Sequence, residues 1–551
     1  MKKIFLIILL CISLPSFIKA ESTKDSYYVR VALELMRSNE EKAALQNLFK
    51  ELENNPTNGF AHLLIASICC DMDSYGYGLE HALSALKYLP KSEHVAREAM
   101  YNLLSRLYLQ AKDTTLALQY RELARKELPK KERNYFWLVD LNMDKCDTIE
   151  ATRYAQMYLK LLPDSIDAYL TMANIQSAYK RYDEAIDYCS KALKMAKPNS
   201  KDMSRVLLRR ALLFEHAKRP SEALTGLMQA TRISIWNQTE TLLYRLVDTI
   251  PDEVLDTLLA AKRAEPDQIY WDILLFDFYQ VRNEYEKAVL IGYELLPKYN
   301  NNSLVYELAS ILELNIGDLD LAEKLLLKQL DTDSTSAMTY INLQELYSER
   351  NCRYAESLEM AEKALSFSPT DHQKTIIYQL RGRMQEQRHE YQAAINDFII
   401  SMIAYPDDCE IWFSIGKLYG LLNDKEKQQA AFEQGRKAYA LRGYELSAGN
   451  YVALGDTAAA YEAAKTMVKK ENSPTQHYNK ACIYAQIGHY TEALQELRIA
   501  IEYGFRCFNH IEWDSDLDNL RGMPEYITLI NEYKQINEQQ KQELRSKLNL
   551  E

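Results

Sequence analysis

The sequence repeats itself, and the length of the repeat limits the folds open to it. Small residues return at a fixed step. Ala117, Ala151 and Ala185 stand 34 apart, as do Val254, Ala288 and Ala322, and as do Ala459 and Ala493. Pro56 and Pro90, and Pro129 and Pro163, keep the same step. Such a unit has room for two short helices and their turns, and a pair that short cannot bury its apolar face alone, so neighbouring pairs must stack. Where two helices cross closely only a small side chain fits. Ala173, Gly382, Gly416 and Ala481 hold that place in the first helix of a pair. Ala185, Ala223, Ala394 and Ala493 hold it in the second, with Ala85, Ala124, Ala192, Ala364 and Ala500 seven residues further on. Large residues fill the spaces between: Tyr101, Tyr135, Tyr169, Tyr378 and Trp412 early in the first helix, and Tyr182, Tyr285, Tyr391 and Tyr490 at the turn. Proline at the end of a unit stops its second helix. Only 16 glycines and 14 prolines in 551 residues favour helix, and a chain of this length exceeds one compact core.

These columns resemble the tetratricopeptide-repeat family over nearly all of residues 27–506, in about fourteen units. The resemblance implies an all-α fold, an α-solenoid in which helix-turn-helix repeats wind into a right-handed superhelix. Several columns fail at 237–268 and 441–473, which are expected to be degenerate repeats. The stretch YNKACIYAQIGHYTEALQELRIAIEYGF followed by IEWDSDLDNLRGMPEYITLI resembles the end-of-group module that closes many bacterial arrays. The matching residues include Ala481, Cys482, Tyr484, Gly488, Ala493, Gly504, Phe505, Asp514, Asp516, Leu517, Leu520, Arg521, Pro524, Tyr526 and Leu529. A solenoid needs a terminal cap, and this segment is expected to supply one. The expected organisation is a signal peptide (1–20), an N-terminal array (21–236), a central array with degenerate repeats (237–473), a last repeat with its cap (474–535) and a polar tail helix (536–551).

The N-terminus reads as an export signal: Lys2 and Lys3, an apolar run from Ile4 to Leu14, and a cleavage site at Ile18-Lys19-Ala20 with the cut after Ala20. The mature chain is expected in the periplasm or outside the cell, with no membrane span left after cleavage. The net charge is −12, and the signal takes Lys2, Lys3 and Lys19 with it, leaving about −15. That balance argues against nucleic acid as a partner. The basic stretch RVLLRRALLFEHAKR, Arg205 to Arg219, is expected to be an ordinary solvated helix face. Eight cysteines remain; most fall inside helical patterns, the adjacent Cys69 and Cys70 cannot pair without strain, and no pairing is assigned.

No signature of catalysis is present: no His-Glu-x-x-His, no Gly-x-Ser-x-Gly, no phosphate loop. No Cys-x-x-Cys points to zinc, and neither a metal nor a cofactor is expected. Asp514, Asp516 and Asp518 are read as capping the segment before Leu520 rather than as a metal or acid–base cluster. His477, His489 and His510 lie near each other in sequence, with His489 in a loop.

The resemblance implies that first helices line a concave groove, faced by residues one, five and eight positions after the early aromatic. By that rule the partner-binding groove takes in Asn102, Arg106, Phe136, Asp140, Leu170 and Asn174, then Gln379, Arg383, Glu386, Phe413 and Lys417. The mixture suits an extended peptide or a helix. A clamp on a C-terminal carboxylate is not expected, because Leu170 stands where a lysine is needed. The implied function is an exported, non-enzymatic scaffold for protein partners in the envelope. The alternatives are a glycan-binding component of an uptake system, a ligand-sensing subunit of an envelope signalling complex, and an enzyme without a recognised motif.

Overall fold

In the computed structural model, residues 26–550 are described, apart from 39, 73, 235–236, 300, 351 and 405–407. The proposed signal segment 1–20 therefore lies outside the described residues. Among those described, the chain is helical and has no strand; from Tyr27 to Glu502 the helices come as fourteen consecutive pairs. Both degenerate stretches form pairs: Asn237–Thr249 with Pro251–Ala264, and the short Ala448–Ala453 with Thr457–Lys465.

Local chemistry sets the ends. Asp113, Asp147, Asp318, Asp424 and Asp456 cap second helices, each accepting a backbone N–H three residues on. Ser165, Ser200, Ser336, Ser447 and Ser473 do the same for first helices. The small-residue columns are the crossings. Ala173, Ala185, Ala192, Ala223, Ala394, Ala481, Ala493 and Ala500 are fully buried. Volumes compensate across a crossing: a Cβ on Gly382 would lie 2.7 Å from Phe398, whereas Ala173 packs with Cys189 in place of an aromatic. One register is corrected. Ala460 and Ala464, not Ala459, are the fully buried pair in the helix Thr457–Lys465, so the step to Ala493 is one residue short. The truncated helices of that repeat account for the loss.

The chain divides into two compact units, one up to Leu242 and one from Leu243 onward. Within each, neighbouring first helices touch: Gly59–Asp71 with His94–Gln110 in the first unit, Ala337–Glu345 with Asp371–Gln387 in the second. Among the described residues no two second helices meet to that extent. The side on which successive helices touch is the inside of the curve, so first helices form the inner face of each unit.

The second unit closes on itself. Its last elements are the helix Phe508–Trp513, a 3-10 turn Ser515–Leu520 and the helix Pro524–Lys547. The last is continuous, so the expected cap and tail are one element. It does not merely cover the end of the array. The Asn283 amide donates to the Asn472 carbonyl (2.6 Å), Asn315 to the Gly504 carbonyl (3.0 Å), and the Arg506 N–H to the Leu314 carbonyl (2.6 Å). Arg545 grips the buried Asp318 with two bonds of 2.5 and 2.6 Å, and Lys547 lies 3.7 Å from Glu286. Two of the receiving loops are specialised. The loop at Asn283 follows a regular α-helix, but the next two first helices end in π-turns, Leu312–Ile316 and Leu346–Arg350. Each absorbs one extra residue: Ala309 and Ala322 are thirteen apart where Ala173 and Ala185 are twelve. Gly317 follows the first π-turn at φ +74°, and a Cβ there would run into the Arg506 carbonyl.

Candidate functional site

The expected groove residues fall into both units, and the two faces differ. In the first unit the helix Glu132–Asp144 presents Arg133, Phe136 and Asp140 along one stripe at i, i+3 and i+7, the spacing of a helix face. Phe136 is 46% exposed, a large apolar group held in water. Asp140 and Asn174 are exposed as expected. Arg106 is half-buried and pairs with Asp71 at 3.0 Å. Asn102 is half-buried in a polar chain: its amide donates to Glu98 (2.7 Å), and Glu98 takes Lys131 at 2.8 Å. Leu170 departs from expectation. It is buried among Ala173, Ala185 and Val206, since an apolar side chain at that register gains more by turning into the helix crossing.

In the second unit Gln379 donates to Asp408 (2.8 Å), Arg383 is exposed, and Lys417 meets Glu386 at 3.1 Å. Phe413 is a correction. It is 2% exposed and part of the core. The reason is Gly435: a Cβ there would sit 2.7 Å from the Phe413 ring, so the missing side chain opens the slot that Phe413 fills between Phe432 and Tyr439.

The inner face of the second unit already carries an occupant, the chain's own segment 508–520. The Tyr478 hydroxyl donates to Asp514 at 2.6 Å, Asp514 caps the Asp516 N–H at 3.0 Å, and Arg521 donates to the Asp514 carbonyl at 2.6 Å. Capping by Asp514 is thus realised. Burial and then the Asp514 charge push Asp516 up to about 6, against the opposing pull of Lys417. Burial acts to lower Lys417, but Glu386, Asp516 and Asp514 outweigh it and hold the ammonium above its ordinary value. Cys482, Asp514 and Asp516 bring a thiol and two carboxylates within 4.8 Å of one another. Burial, then Asp514 and Asp516, push that thiol well up, so it stays protonated, and Asp514 is committed to Tyr478. The cluster is where the docked segment meets the helix Pro474–Gln486. His510 joins it, 3.6 Å from Asp514 and 3.4 Å from Arg350. His477 is bound by Glu496 at 2.5 Å, and His489 stacks on Tyr461.

Two features escaped the sequence reading. Arg209 and Arg210 are not a solvated face: both are partly buried, burial lowers both, and among the described residues neither has a carboxylate within ion-pair distance. The other is Arg121, on the second helix Thr114–Glu127. Only 4% exposed, it lies with its guanidinium 4.9 Å from the Trp137 ring and donates through Nη1 to the Asn102 side chain. Its buried Nε has no partner. Burial lowers it to about 10, with Glu98 opposing. All eight described cysteines are unpaired thiols. No helix among the described residues is long and apolar enough to cross a membrane.

Residues 166–199 and 410–435 match the tetratricopeptide-repeat family model. No curated protein matches the chain. Among solved structures the chain is similar to a tetratricopeptide repeat protein from Parabacteroides merdae, at 15% identity, covering 51% of this chain and 95% of that one with a TM-score of 0.33. It is also similar to the C-terminal part of a repeat protein from Cytophaga hutchinsonii, at 15% identity, 50% and 97% coverage and a TM-score of 0.32. PilF of Pseudomonas aeruginosa matches at 20% identity, 37% and 90% coverage and a TM-score of 0.29.

Proposed function

We propose that the protein is an exported, non-enzymatic scaffold that binds a protein partner of the cell envelope along the inner face of its first unit. One observation carries this reading. The first helices there leave Phe136 half in water, flanked by the exposed Asp140 and Asn174 and the half-buried Arg106. A large aromatic beside polar groups able to fix orientation is the composition of a peptide- or helix-binding groove. The matched repeats support it, since arrays of this kind act as protein-interaction scaffolds. Export rests on the segment from Lys2 to Ala20.

The test has two parts. The protein recovered from cells should begin at Glu21 and fractionate with the periplasm or the medium; a cytoplasmic chain beginning at Met1 refutes export. Cross-linking in cells with a tagged chain should capture one or two abundant envelope proteins. That capture should be lost when Asn102, Arg106 and Asn174 are changed to alanine together. Capture that survives the triple change refutes the groove, and retention on an oligosaccharide column without any protein partner favours glycan binding.

A further inference from the structure

Align the repeats on their crossings and Arg121 stands out. It lies sixteen residues after Ser105, in a column that carries Ala155, Cys189, Leu227, Leu258 and Phe398 in other repeats. Every other repeat has an apolar residue or glycine there. This one alone puts a guanidinium into the packing layer. The side chain reaches through that layer to the inner face, where it meets Asn102 and Trp137. Among the described residues no carboxylate lies within ion-pair distance of it, and its Nε has no acceptor. The carboxylates whose charge reaches it are Glu98, which is bound to Lys131 and Asn102, and Asp140. The charges of Glu98 and Asp140 act on it only from beyond ion-pair distance, and an apolar residue of similar volume serves a core better than a buried guanidinium without a direct ion pair. The position therefore reads as one held for an anion that arrives with a ligand.

The second unit shows which anion suits such a face. There the inner face holds the segment Asp514-Ser515-Asp516-Leu517-Asp518, an acidic turn with its leucine fully buried. Tyr478 donates to its Asp514, and the Lys417 charge acts on its Asp516. Counted from the small residue of each first helix, Tyr478 has the register of Asn102, and Lys417 that of Arg106. In the first unit the same positions are held by side chains of the repeats themselves, Asn102 by Glu98 and Arg121, and Arg106 by Asp71.

We propose that the inner face of the first unit recognises an acidic segment of its partner, with a carboxylate paired to Arg121 beside Asn102 and an apolar side chain laid on Phe136. This rests on the groove reading above and adds the chemistry of the occupant. A partner carboxylate gives the Arg121 guanidinium the ion pair it lacks in the free chain, so this contact should dominate affinity.

The probe is a displayed library of random ten-residue peptides, selected on the intact chain and measured singly as synthetic peptides. Recovered sequences should share an Asp or Glu next to Leu, Phe or Trp. They should weaken by about ten- to a hundred-fold on Arg121→Leu, and bind more weakly at high salt. Arg121→Leu should unfold at no lower a temperature than the parent, because an apolar side chain replaces a buried guanidinium that has no carboxylate within ion-pair distance. If it fails to fold, Arg121→Gln replaces it, with the same loss of binding expected. Peptides without a shared acid, or binding Arg121→Leu as tightly as the parent, overturn the proposal. If those peptides are still lost on Phe136→Ala, the groove stands and only its acidic preference falls. If neither change matters, or no peptide is recovered, both readings fall.

Discussion

Gly317→Ala tests the closure of the second unit at a single atom. Gly317 follows a π-turn at φ +74°, and its Cα faces the carbonyl of Arg506 and the amide of Asn537, the latter 2.9 Å from an added Cβ. Two penalties combine. A non-glycine residue in the left-handed region costs about 1 kcal/mol. A methyl group forced against another segment's backbone costs about 1–3 kcal/mol more, because a carbonyl cannot swing aside as a side chain can. Gly443 supplies the control within the same unit: its φ is +67°, and nothing lies within 4 Å of an added Cβ. Gly443→Ala should therefore carry the first penalty alone. The assay is native-state hydrogen exchange in the helix Pro524–Lys547, where the core-facing residues Leu529, Ile530 and Leu544 are buried. Gly317→Ala should lower protection there by about ten- to a hundred-fold relative to Gly443→Ala, since each 1.4 kcal/mol is a factor of ten. Equal protection in the two variants would mean that the C-terminal segment does not press on the π-turn, and the closure would be wrong.

Three further outcomes follow from the same geometry. Phe413→Ala should destabilise the second unit by about 3–5 kcal/mol, while Phe136→Ala should cost under about 1 kcal/mol; urea unfolding followed unit by unit distinguishes them. Asp516 has its folded pKa raised to about 6, so its contribution favours the folded state at low pH and is lost as pH rises through about 6. Once exchange rates are divided by the intrinsic rate at each pH, the segment 508–520 should be less protected at pH 7.5 than at pH 5 by about 1.4 kcal/mol, and Asp516→Asn should abolish that difference in protection. Ala185→Trp should overpack one crossing and lower the stability of the first unit by about 1–3 kcal/mol or more; an unchanged melting profile would refute the assigned register.

The helix pairs were legible because their cause is periodic. A crossing admits only a small side chain, so Ala185 and Ala493 announce themselves wherever the unit has its full length. At the shortened repeat two adjacent alanines look alike, and size alone could not choose Ala460 over Ala459. The inner face was legible only as a register. The rule placed Phe136, Asp140 and Asn174 where they are exposed, but it could not foresee that Gly435 would draw Phe413 inward or that Leu170 would turn into the core. Arg121 lies on a second helix, outside a rule that consults first helices. Its signal was nonetheless present, as one charged residue in an apolar column. The closure left no periodic trace at all. Its partners, such as Asn283 and Asn472 or Asp318 and Arg545, are separated by 189 and 227 residues.

Those separations bear on how the chain folds. In a linear array each repeat consults only its neighbours, so structure can start anywhere and spread. The first unit keeps to that logic, and a nascent chain can complete it while translation continues. The second unit cannot be finished before Arg545 has left the ribosome, since the partner of the buried Asp318 is made 227 residues after it. Contacts of such long range slow the final step and leave the central repeats with an unsealed edge in the meantime. A truncation that removes only the last few residues should therefore act on the start of the unit, some two hundred residues upstream.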